Sequence, residues 1–450
     1  MSAWARSSLA LSMALGALLS DWICGELFMR RGTVANIGLA LLANVGLFAA
    51  ALLLVRLAST AKAMLAALRI GALLALAAVL LQSGKAAFWS DLPISPVARA
   101  GLVLVVSGVV MYIVIFRSEG LNDRLMRAVA LASIAFTASP FVLRSIAGPS
   151  IEWLSTKPAA ASIKHGVMFL LMDELGYPAA APLARDLREL GLHVSYQPLN
   201  AAGANTINVI PAMFDRRGFD QARPCGRSTI CSGSAWLAFS RIRAGRDDVD
   251  VTGLLHPYCD IVGLRSCYQL ELTHEFGNAY VSLLAFYARR LGITLPVALL
   301  PPPEPNGLQG KLLERQLAFV EGARFWRKGG VLYAHLALPH PPGLDEISTL
   351  DRDYAANIEA SRVVLKRWVE RLRVEFGNNF SVIITSDHPL REYWCNAGVY
   401  KPADCGTRDE FQSKLVPLIV ASTTPMVEPS AKSNAEVFDV LNSEAQRLLK

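Results

Sequence analysis

Two apolar runs that end in acidic and imidazole side chains constrain this chain most. The first is 167–177, VMFLLMDELGY, and the second is 382–388, VIITSDH. An unbroken apolar run of this length is typical of a strand buried on both faces of a sheet. Because ligands collect at the carboxyl ends of such strands, we expect a metal-dependent phosphate or sulfate site at that edge.

The apolar residues are unevenly distributed along the chain. Its 450 residues are 53% hydrophobic with a mean hydropathy of +0.35, which is too apolar for an ordinary soluble enzyme of this size. Five stretches approach the length of about 20 residues that a helix needs to cross a bilayer: 9–27, 34–57, 64–81, 97–116 and 125–146. The sequence therefore predicts a transmembrane domain of five helices over 1–147, a linker over 148–163 and an outer domain over 164–450.

The topology is predicted from the ends of these stretches. A cleaved signal peptide is the alternative for the first stretch, but Asp21, Cys24 and Glu26 interrupt the expected cleavage region. With the amino terminus inside, the short cytoplasmic segments carry seven Lys and Arg residues against four outside. Five crossings then place the C-terminal domain outside the membrane.

The cysteines support an oxidising compartment. One of seven, Cys24, lies in a predicted membrane segment, and the other six form close couples in the outer domain. Six cysteines allow fifteen connectivities, of which we favour the three local pairs: Cys225–Cys231, Cys259–Cys267 and Cys395–Cys405. Reduced thiols in a cytosolic domain are the alternative, whereas a cysteine zinc site is disfavoured because the chain has no C-x-x-C couple.

Strand and helix patterns alternate in the outer domain. Apolar runs predict strands and amphipathic spacing predicts helices; the strands are 167–172, 331–338, 380–385 and 415–421, and the helices are 182–192, 310–327 and 354–376. Helices between hydrophobic strands indicate an α/β domain with a mostly parallel central sheet covered on both faces. The ranges 215–270 and 295–310 are rich in Gly, Pro, Cys and charge, which predicts stapled surface loops.

Candidate ligands lie at the predicted strand ends. Asp173 and Glu174 follow one strand, Asp387 and His388 follow another, and Thr206 adds a hydroxyl, which together suit Zn²⁺ or a similar divalent cation. A metal held in this way can deprotonate a threonine and stabilise charge on a phosphoryl group. Each residue alone is weak evidence, since an Asp-Glu or Ser-Asp-His sequence can equally cap a helix or lie in solvent.

Three segments share their order and content with a known family. They are 206–214 (TINVIPAMF), 335–341 (HLALPHP) and 386–388 (SDH). Over roughly 164–422 the chain resembles the alkaline phosphatase and sulfatase superfamily. Within it, the chain looks closest to the membrane phosphoethanolamine transferases that modify lipid A and related glycolipids, which also have five membrane helices and a disulfide-bonded outer domain.

The resemblance implies roles for individual residues. It implies Thr206 as the nucleophile and one or two Zn²⁺ ions, or another divalent cation, held by Asp173, Glu174, Thr206, Asp387 and His388. His335 and His340 are expected to bind phosphoryl oxygens or to move protons, which suits imidazole near neutral pH. Further substrate contacts are expected from Asn205 and, as a reserve candidate, from His256.

The implied reaction is a ping-pong transfer at the periplasmic face of a bacterial inner membrane. Thr206 takes the head group of a phospholipid, with phosphatidylethanolamine as the expected donor, and diacylglycerol leaves. A hydroxyl or phosphate of an envelope glycolipid or glycan then accepts the group. The expected partners are thus the membrane, a phospholipid and an envelope acceptor.

The chain also departs from the family pattern. Asp173-Glu174-Leu175 replaces the Gly-Glu-Thr of the transferases, so either acid can be the first metal ligand. Pro389 replaces a glycine, and no histidine occurs in 390–400. These differences leave open which residues form the substrate pocket and whether a second metal binds.

Other functions fit parts of the same sequence pattern. A hydrolase or a phosphoglycerol transferase would use the same threonine and metal, whereas a true sulfatase would need a Cys-x-Pro-x-Arg segment that the chain lacks. A membrane-anchored binding module that keeps only the fold is the non-enzymatic alternative, in which Thr206 is a turn residue and His335 a core histidine. The net charge of +7 does not indicate nucleic acid, because part of it is the cytoplasmic positive bias. The arginines of the outer domain can face anionic lipid or phosphorylated glycan, and a solvated basic surface is the alternative.

Overall fold

The computed structural model describes residues 25, 28, 150–154, 164–233, 235–270, 308–341, 348–391, 400, 402–406 and 413–449. The five stretches predicted to cross a membrane lie outside these residues, apart from Gly25 and Phe28 in or beside the first. In the part of the chain that is described, no helix has both the length and the apolar character that a membrane crossing requires.

The described strands and helices are numbered here in chain order. The strands are β1 Ile151–Glu152, β2 Gly166–Met172, β3 His193–Asn200, β4 Arg223–Gly226, β5 Thr229–Ser232, β6 Ala235–Ala238, β7 Ile242–Arg243, β8 Val249–Gly253, β9 Ser266–Gln269, β10 Gly330–Leu336, β11 Phe380–Thr385 and β12 Leu415–Ser422. The α-helices are α1 Ala181–Glu189, α2 Thr206–Asp215, α3 Leu308–Gly322, α4 Arg324–Lys328, α5 Leu350–Phe376 and α6 Val437–Arg447. Strands and helices alternate from β2 to α2 and from α4 to β11, as the sequence predicts, whereas β4 to β9 follow one another without an intervening α-helix.

The chain divides into two units. One includes Pro224–Trp236, which makes up most of a small sheet of β4, β5 and β6. The other consists of Gly148–Arg223, Leu237–Glu271 and Pro302–Lys450, and it contains the central sheet. The candidate site described below, at the edge of this sheet, lies in the second unit.

The central sheet has seven strands in the order β3-β12-β11-β2-β10-β8-β9. Of these, only β12 runs antiparallel to its neighbours, so the predicted mostly parallel sheet is confirmed. In the register, Leu171 of β2 lies opposite Thr385 of β11 and His335 of β10. The carboxyl ends of these three strands therefore meet at one edge of the sheet.

Helices cover both faces of the sheet. On one face the core includes Met168 and Leu170 of β2 together with buried side chains of α1, α3, α4 and α5. On the other face, the ring of Phe169 stacks on that of Tyr333 at 5.4 Å and lies 5.7 Å from that of Phe438 in α6. Because successive residues of β2 face opposite sides, a wholly apolar strand is what a two-sided core requires.

Most predicted elements are confirmed within a few residues, but one region is wrong. The helix predicted over 310–327 is two helices, α3 and α4, separated at Ala323. The range 215–270, predicted as surface loops, contains β4 to β9, and β8 is a buried strand of the central sheet. Its sequence, VDVTG, hides this role because Asp250 and Thr252 occupy buried positions.

Two of the predicted disulfides are present. Cys225 and Cys231 are bonded across β4 and β5, and Cys259 and Cys267 are bonded near β8 and β9. Cys405 is also disulfide-bonded, while its predicted partner Cys395 lies outside the described residues. The two described disulfides therefore link residues that are close in sequence, with separations of 6 and 8 positions.

Candidate active site

Three ligand side chains converge where β2, β10 and β11 end. One ligand atom from each of Asp173, His335 and Asp387 lies within 4.8 Å of the others. Asp173 follows β2 directly, His335 is the penultimate residue of β10, and Asp387 lies two residues beyond β11. All three are at most 1% exposed. The parallel register of the sheet thus gathers residues that are far apart in sequence.

Three polar atoms of this cluster, one from each ligand residue, make no hydrogen bond to the described residues. Oδ1 of Asp173, Oδ2 of Asp387 and Nε2 of His335 are buried and make no hydrogen bond to any described residue. Leaving a buried polar atom unpaired costs about 1–3 kcal/mol, so three together call for a ligand. Two carboxylates and an imidazole match the three protein ligands of a catalytic zinc site, which keeps a fourth position open. The residues present therefore fit a divalent cation.

Neighbouring groups orient two of the three ligands, the carboxylate of Asp387 and the imidazole of His335. Oδ1 of Asp387 accepts the backbone N–H of Glu174 at 3.2 Å and that of His388 at 2.8 Å. Nδ1 of His335 lies 3.0 Å from the hydroxyl of Tyr258. For Nε2 of His335 to bind a metal, Nδ1 must carry the proton and donate it to Tyr258. Tyr258 thus fixes the ring in a ligand-competent orientation.

Thr206 is the first residue of α2 and is 7% exposed. Its Oγ1 lies 3.2 Å from Nε2 of His388, which also lies 3.2 Å from Oδ2 of Asp387 and 3.8 Å from Oδ1 of Asp173. Nδ1 of His388 lies 3.0 Å from the carbonyl oxygen of Pro389, which can only accept. In the neutral ring Nδ1 therefore carries the proton, and Nε2 can accept the proton of the threonine hydroxyl.

A third acidic side chain borders the cluster. Glu174 is buried, and its Oε1 contacts Nε of Arg391. Nη1 of Arg391 also donates to Oδ1 of Asn205 at 3.1 Å. Asn205 precedes α2 and makes no side-chain cap to that helix. Arg391 thus bridges the turn after β2 and the residue before the candidate nucleophile.

The charges shift the pKa values of the cluster in opposite directions. Burial, followed by the carboxylates of Asp387 and Glu174, holds the pKa of Asp173 well above its usual 3.8. Burial also acts to raise the pKa of Asp387, but His388, His335 and the Thr206 hydroxyl lower it below 3.8. Burial lowers the pKa of His335 to about 4, which keeps the imidazole neutral and able to bind a metal.

The two other predicted histidines lie at different depths. Nε2 of His340 is 3.7 Å from Oδ2 of Asp173, and its side chain is 19% exposed, so it borders the cluster on an accessible side. Burial lowers the pKa of His340. His256 is 1% exposed and its ring lies 5.8 Å from that of Phe239. Burial, together with the neighbouring His335, lowers the pKa of His256 to about 3.

The structure redistributes the predicted roles. Of the predicted metal ligands, it brings Asp173 and Asp387 into the cluster, places Thr206 and His388 against each other beside it, and pairs Glu174 with Arg391. His335, predicted for substrate or proton transfer, lies in the cluster itself, because its position in β10 is opposite the end of β2. The functional roles of these residues stay predictions.

Sequence reasoning missed several residues that build this site. Asn434, before α6, donates to the carbonyl oxygens of Ser386 at 3.0 Å and Asp387 at 2.7 Å, and accepts the N–H of Ala202 at 2.8 Å. Tyr354 donates to the carbonyl oxygen of Glu174 at 2.7 Å. These side chains, with Tyr258 and Arg391, hold the strand ends and the start of α2 in place. Their contacts are long-range, so no local pattern marks them.

Comparisons with known proteins give distant structural similarities. No protein-family profile matches this chain, and no curated protein matches it significantly. The chain is similar to the integral membrane lipooligosaccharide phosphoethanolamine transferase A (EptA) from Neisseria meningitidis, with 13% identity, a TM-score of 0.33, and coverage of 96% of this chain and 91% of that one.

Two further solved structures cover the C-terminal part. The periplasmic domain of EptC from Escherichia coli, in complex with Zn, has 11% identity and a TM-score of 0.36 over 66% of this chain and 86% of that one. A protein in the alkaline phosphatase superfamily from Vibrio parahaemolyticus has 13% identity and a TM-score of 0.35 over 65% and 69%. These structures are too distant to transfer an activity, which must be inferred from the residues of the site.

Proposed function

We propose that this protein is a metal-dependent phosphotransferase that uses Thr206 as its nucleophile. The observation that carries the proposal is the position of Oγ1 of Thr206, at the start of a helix, 3.2 Å from the imidazole of His388 and beside the unpaired ligand atoms of Asp173 and Asp387. A hydroxyl, a proton acceptor and a metal cluster at one strand edge are the parts of a covalent phosphoryl transfer.

Asp173, His335 and Asp387 would hold the cation. A divalent ion bound there supplies Lewis-acid stabilisation of the charge on the phosphoryl oxygens and on the threonine oxygen. The amino end of α2 favours negative charge at Thr206 for a separate reason, because the helix dipole is positive there. The residues of the chain therefore prepare the hydroxyl for attack.

The first half-reaction forms a bond between Oγ1 of Thr206 and the phosphorus of a phospholipid head group. The bond between phosphorus and the diacylglycerol oxygen breaks, and the threonine proton passes to Nε2 of His388 and then to the leaving oxygen. In the second half-reaction, an acceptor hydroxyl or phosphate attacks the same phosphorus. Where the acceptor is a hydroxyl, its proton passes to His388. The bond between phosphorus and Oγ1 of Thr206 breaks, and this oxygen recovers a proton from His388.

We propose phosphatidylethanolamine as the donor, an envelope glycolipid or glycan as the acceptor and Zn²⁺ as the cation. The predicted membrane segments and the basic net charge support a substrate at an anionic bilayer surface. The disulfides support an oxidising compartment such as the periplasm, with the chain in the inner membrane. His340, on the accessible side of Asp173, is proposed to contact the phosphoryl group, and Asn205 and His256 are weaker proposals for the head group.

The experiment uses the full chain purified in detergent with Zn²⁺ and a fluorescent phosphatidylethanolamine. We expect release of diacylglycerol and a head-group adduct on Thr206 that peptide mass spectrometry detects. Both should disappear in Thr206→Ala and persist in Thr423→Ala, a control in an exposed turn after β12. If diacylglycerol is released without an adduct, and this release persists in Thr206→Ala, Thr206 is not the nucleophile. Turnover to free phosphoethanolamine in water would indicate a hydrolase, and adducts only from phosphatidylglycerol would indicate a phosphoglycerol transferase.

A further inference from the structure

Glu174 and Asp173 are adjacent, but their carboxylates have different partners. Asp173 belongs to the cluster with His335 and Asp387, and its Oδ1 has no hydrogen-bond partner among the described residues. Glu174 instead contacts the guanidinium of Arg391. Glu174 adopts a left-handed backbone conformation, with a φ of 64°, which is uncommon for a residue with a side chain. The tight turn is thus built with the two acids in different environments.

The buried charges described at the carboxyl edge of the sheet would be balanced by one divalent cation. Asp173, Glu174 and Asp387 are three buried carboxylates, and Arg391 is the guanidinium paired with one of them. Buried charges must be paired or must coordinate a metal. Among the described residues, two carboxylates remain for the cation after Glu174 and Arg391 neutralise each other. A single divalent ion balances them.

Arg391 also lies next to the nucleophile. Its Nη1 donates to Oδ1 of Asn205, which directly precedes Thr206, and its side chain is 25% exposed. The amide of Asn205 is a neutral acceptor. A phosphoryl oxygen at Thr206 would be a charged acceptor, and such hydrogen bonds are roughly twice as strong. Exchanging the amide for the substrate is therefore favourable.

We propose that Arg391 binds the phosphoryl oxygens of the substrate and that Glu174 is its counter-ion rather than a metal ligand, so that the site holds one divalent ion and one guanidinium. This inference rests on the proposed function, because it places the substrate phosphorus at Thr206. It decides between the two acids that the sequence left open. It also assigns a partner to the substrate in a chain without the histidine expected after position 388.

Zinc binding distinguishes the role of Asp173 from that of Glu174. Full-length wild-type protein, Glu174→Gln and Asp173→Asn are dialysed against Zn²⁺ and their metal content and affinity are measured by mass spectrometry and calorimetry. We expect one zinc in the wild type, an affinity within about threefold in Glu174→Gln, and a loss of about 100-fold or more in Asp173→Asn. Loss of zinc in Glu174→Gln to the same degree, or two zinc ions in the wild type, would overturn the assignment.

Anion binding tests Arg391 without turnover. Inorganic phosphate is titrated into the zinc-loaded wild type, Arg391→Ala and Arg391→Lys, and unfolding curves show whether each variant is folded. We expect phosphate affinity to fall about 10- to 100-fold in Arg391→Ala, with a smaller loss in Arg391→Lys, which keeps a charge but not the planar fork. Unchanged phosphate binding in Arg391→Ala, or a failure of folded Arg391→Lys to differ from the wild type, would contradict the proposal.

The results also distinguish this inference from the proposed function. If Asp173→Asn keeps its zinc, the metal cluster and the phosphotransferase proposal are both wrong. If Asp173→Asn loses zinc and Thr206 forms an adduct, while Arg391→Ala binds phosphate normally, only the inference on Arg391 is wrong.

Discussion

The two ends of the central sheet both bury carboxylates, but only Asp250, at the amino end, has both oxygens paired within the protein. Asp250 lies at the amino end of β8. Its Oδ1 accepts hydrogen bonds from Arg265 at 2.9 Å and Ser266 at 2.7 Å, and its Oδ2 accepts from Arg265 at 2.8 Å and from the N–H of Phe325 at 2.6 Å. Both oxygens of this buried carboxylate are therefore satisfied by the protein.

The carboxyl end differs. Asp173 and Asp387 are as deeply buried as Asp250, yet each keeps one oxygen without a hydrogen bond to the described residues, and the two carboxylates repel each other. Paired buried charges hold a fold in one arrangement, whereas unpaired ones reduce its stability until a ligand binds. The carboxyl edge thus presents the unpaired carboxylate oxygens that the proposed cation would neutralise.

The largest predicted effect is on stability and has opposite signs at the two ends. Asp250→Asn should destabilise the metal-free protein by about 3–5 kcal/mol, because it leaves Arg265 buried without its counter-ion. Asp173→Asn should not destabilise it and should raise the unfolding midpoint, because it removes a carboxyl group whose raised pKa costs the folded state stability at neutral pH. Denaturant unfolding followed by tryptophan fluorescence measures both. A loss in Asp173→Asn as large as that in Asp250→Asn would break the comparison.

Metal removal should affect only the carboxyl end. Zinc at 100 times its dissociation constant should stabilise the wild type by about 2.7 kcal/mol, and a chelator should reverse this. Asp173→Asn should show no zinc-dependent shift of its thermal unfolding midpoint, while a folded control with an intact cluster, Thr423→Ala, should respond like the wild type. Equal zinc stabilisation in Asp173→Asn would show that the ion binds elsewhere.

A smaller effect is expected from Tyr258, whose hydroxyl contacts the imidazole of His335. Tyr258→Phe removes the hydroxyl 3.0 Å from Nδ1, so the imidazole loses the acceptor that fixes its orientation. We expect zinc affinity to fall about 10- to 100-fold, the range for such outer-shell partners. Tyr333→Phe is the matched control, since its hydroxyl reaches Tyr258 but not the histidine in the described contacts, and should cost less. Equal losses in both variants would point to packing of the tyrosines rather than to the hydrogen bond.

The smallest effect concerns pH and a paired carboxylate far from the site. Hydrogen bonds from Arg362 lower the pKa of Asp186 below its usual 3.8. A lowered pKa contributes stability above the unfolded value, and this stability is lost as pH falls through the folded value. Asp186→Asn should therefore cost about 1 kcal/mol at pH 7 and progressively less below about pH 4.

The control for this pH effect lies on the same helix. Glu189→Gln removes an exposed carboxylate whose nearest cation, Arg185, is 3.9 Å away, and should change stability by less than about 0.5 kcal/mol at any pH. A cost in Asp186→Asn that does not shrink in acid would mean that the charge of Asp186 is not what stabilises the protein.

The sequence predicts the strands of the site well because their signal is local. The apolar run at 380–385 gives β11 with its observed bounds, and 167–172 gives β2 within one residue. Helix α5 begins at Leu350 rather than at Tyr354, because two acids of its first turn, Asp351 and Asp353, favour the amino end of a helix before the apolar spacing begins. The predicted membrane domain, its boundaries and the location of the chain stay predictions.

The remainder of the site depends on contacts between distant residues. Tyr258 and His335 are 77 positions apart, and Asn434 reaches Asp387 across 47. Only the folded sheet brings them together, and neither residue type marks a metal site on its own. Arg391 follows a recognised motif, but its pairing with Glu174 depends on the turn after β2. The sequence therefore indicates which residues are reactive, and the fold determines what each of them contacts.

The most direct test of the metal cluster is anomalous diffraction at the zinc absorption edge from crystals of the zinc-loaded full chain. We predict one peak in contact with Asp173, His335 and Asp387, absent from crystals of Asp173→Asn. A zinc-loaded crystal with no peak at these residues, or with its ion held by Glu174 instead, would contradict the claim that the unpaired atoms at the carboxyl edge form the metal site.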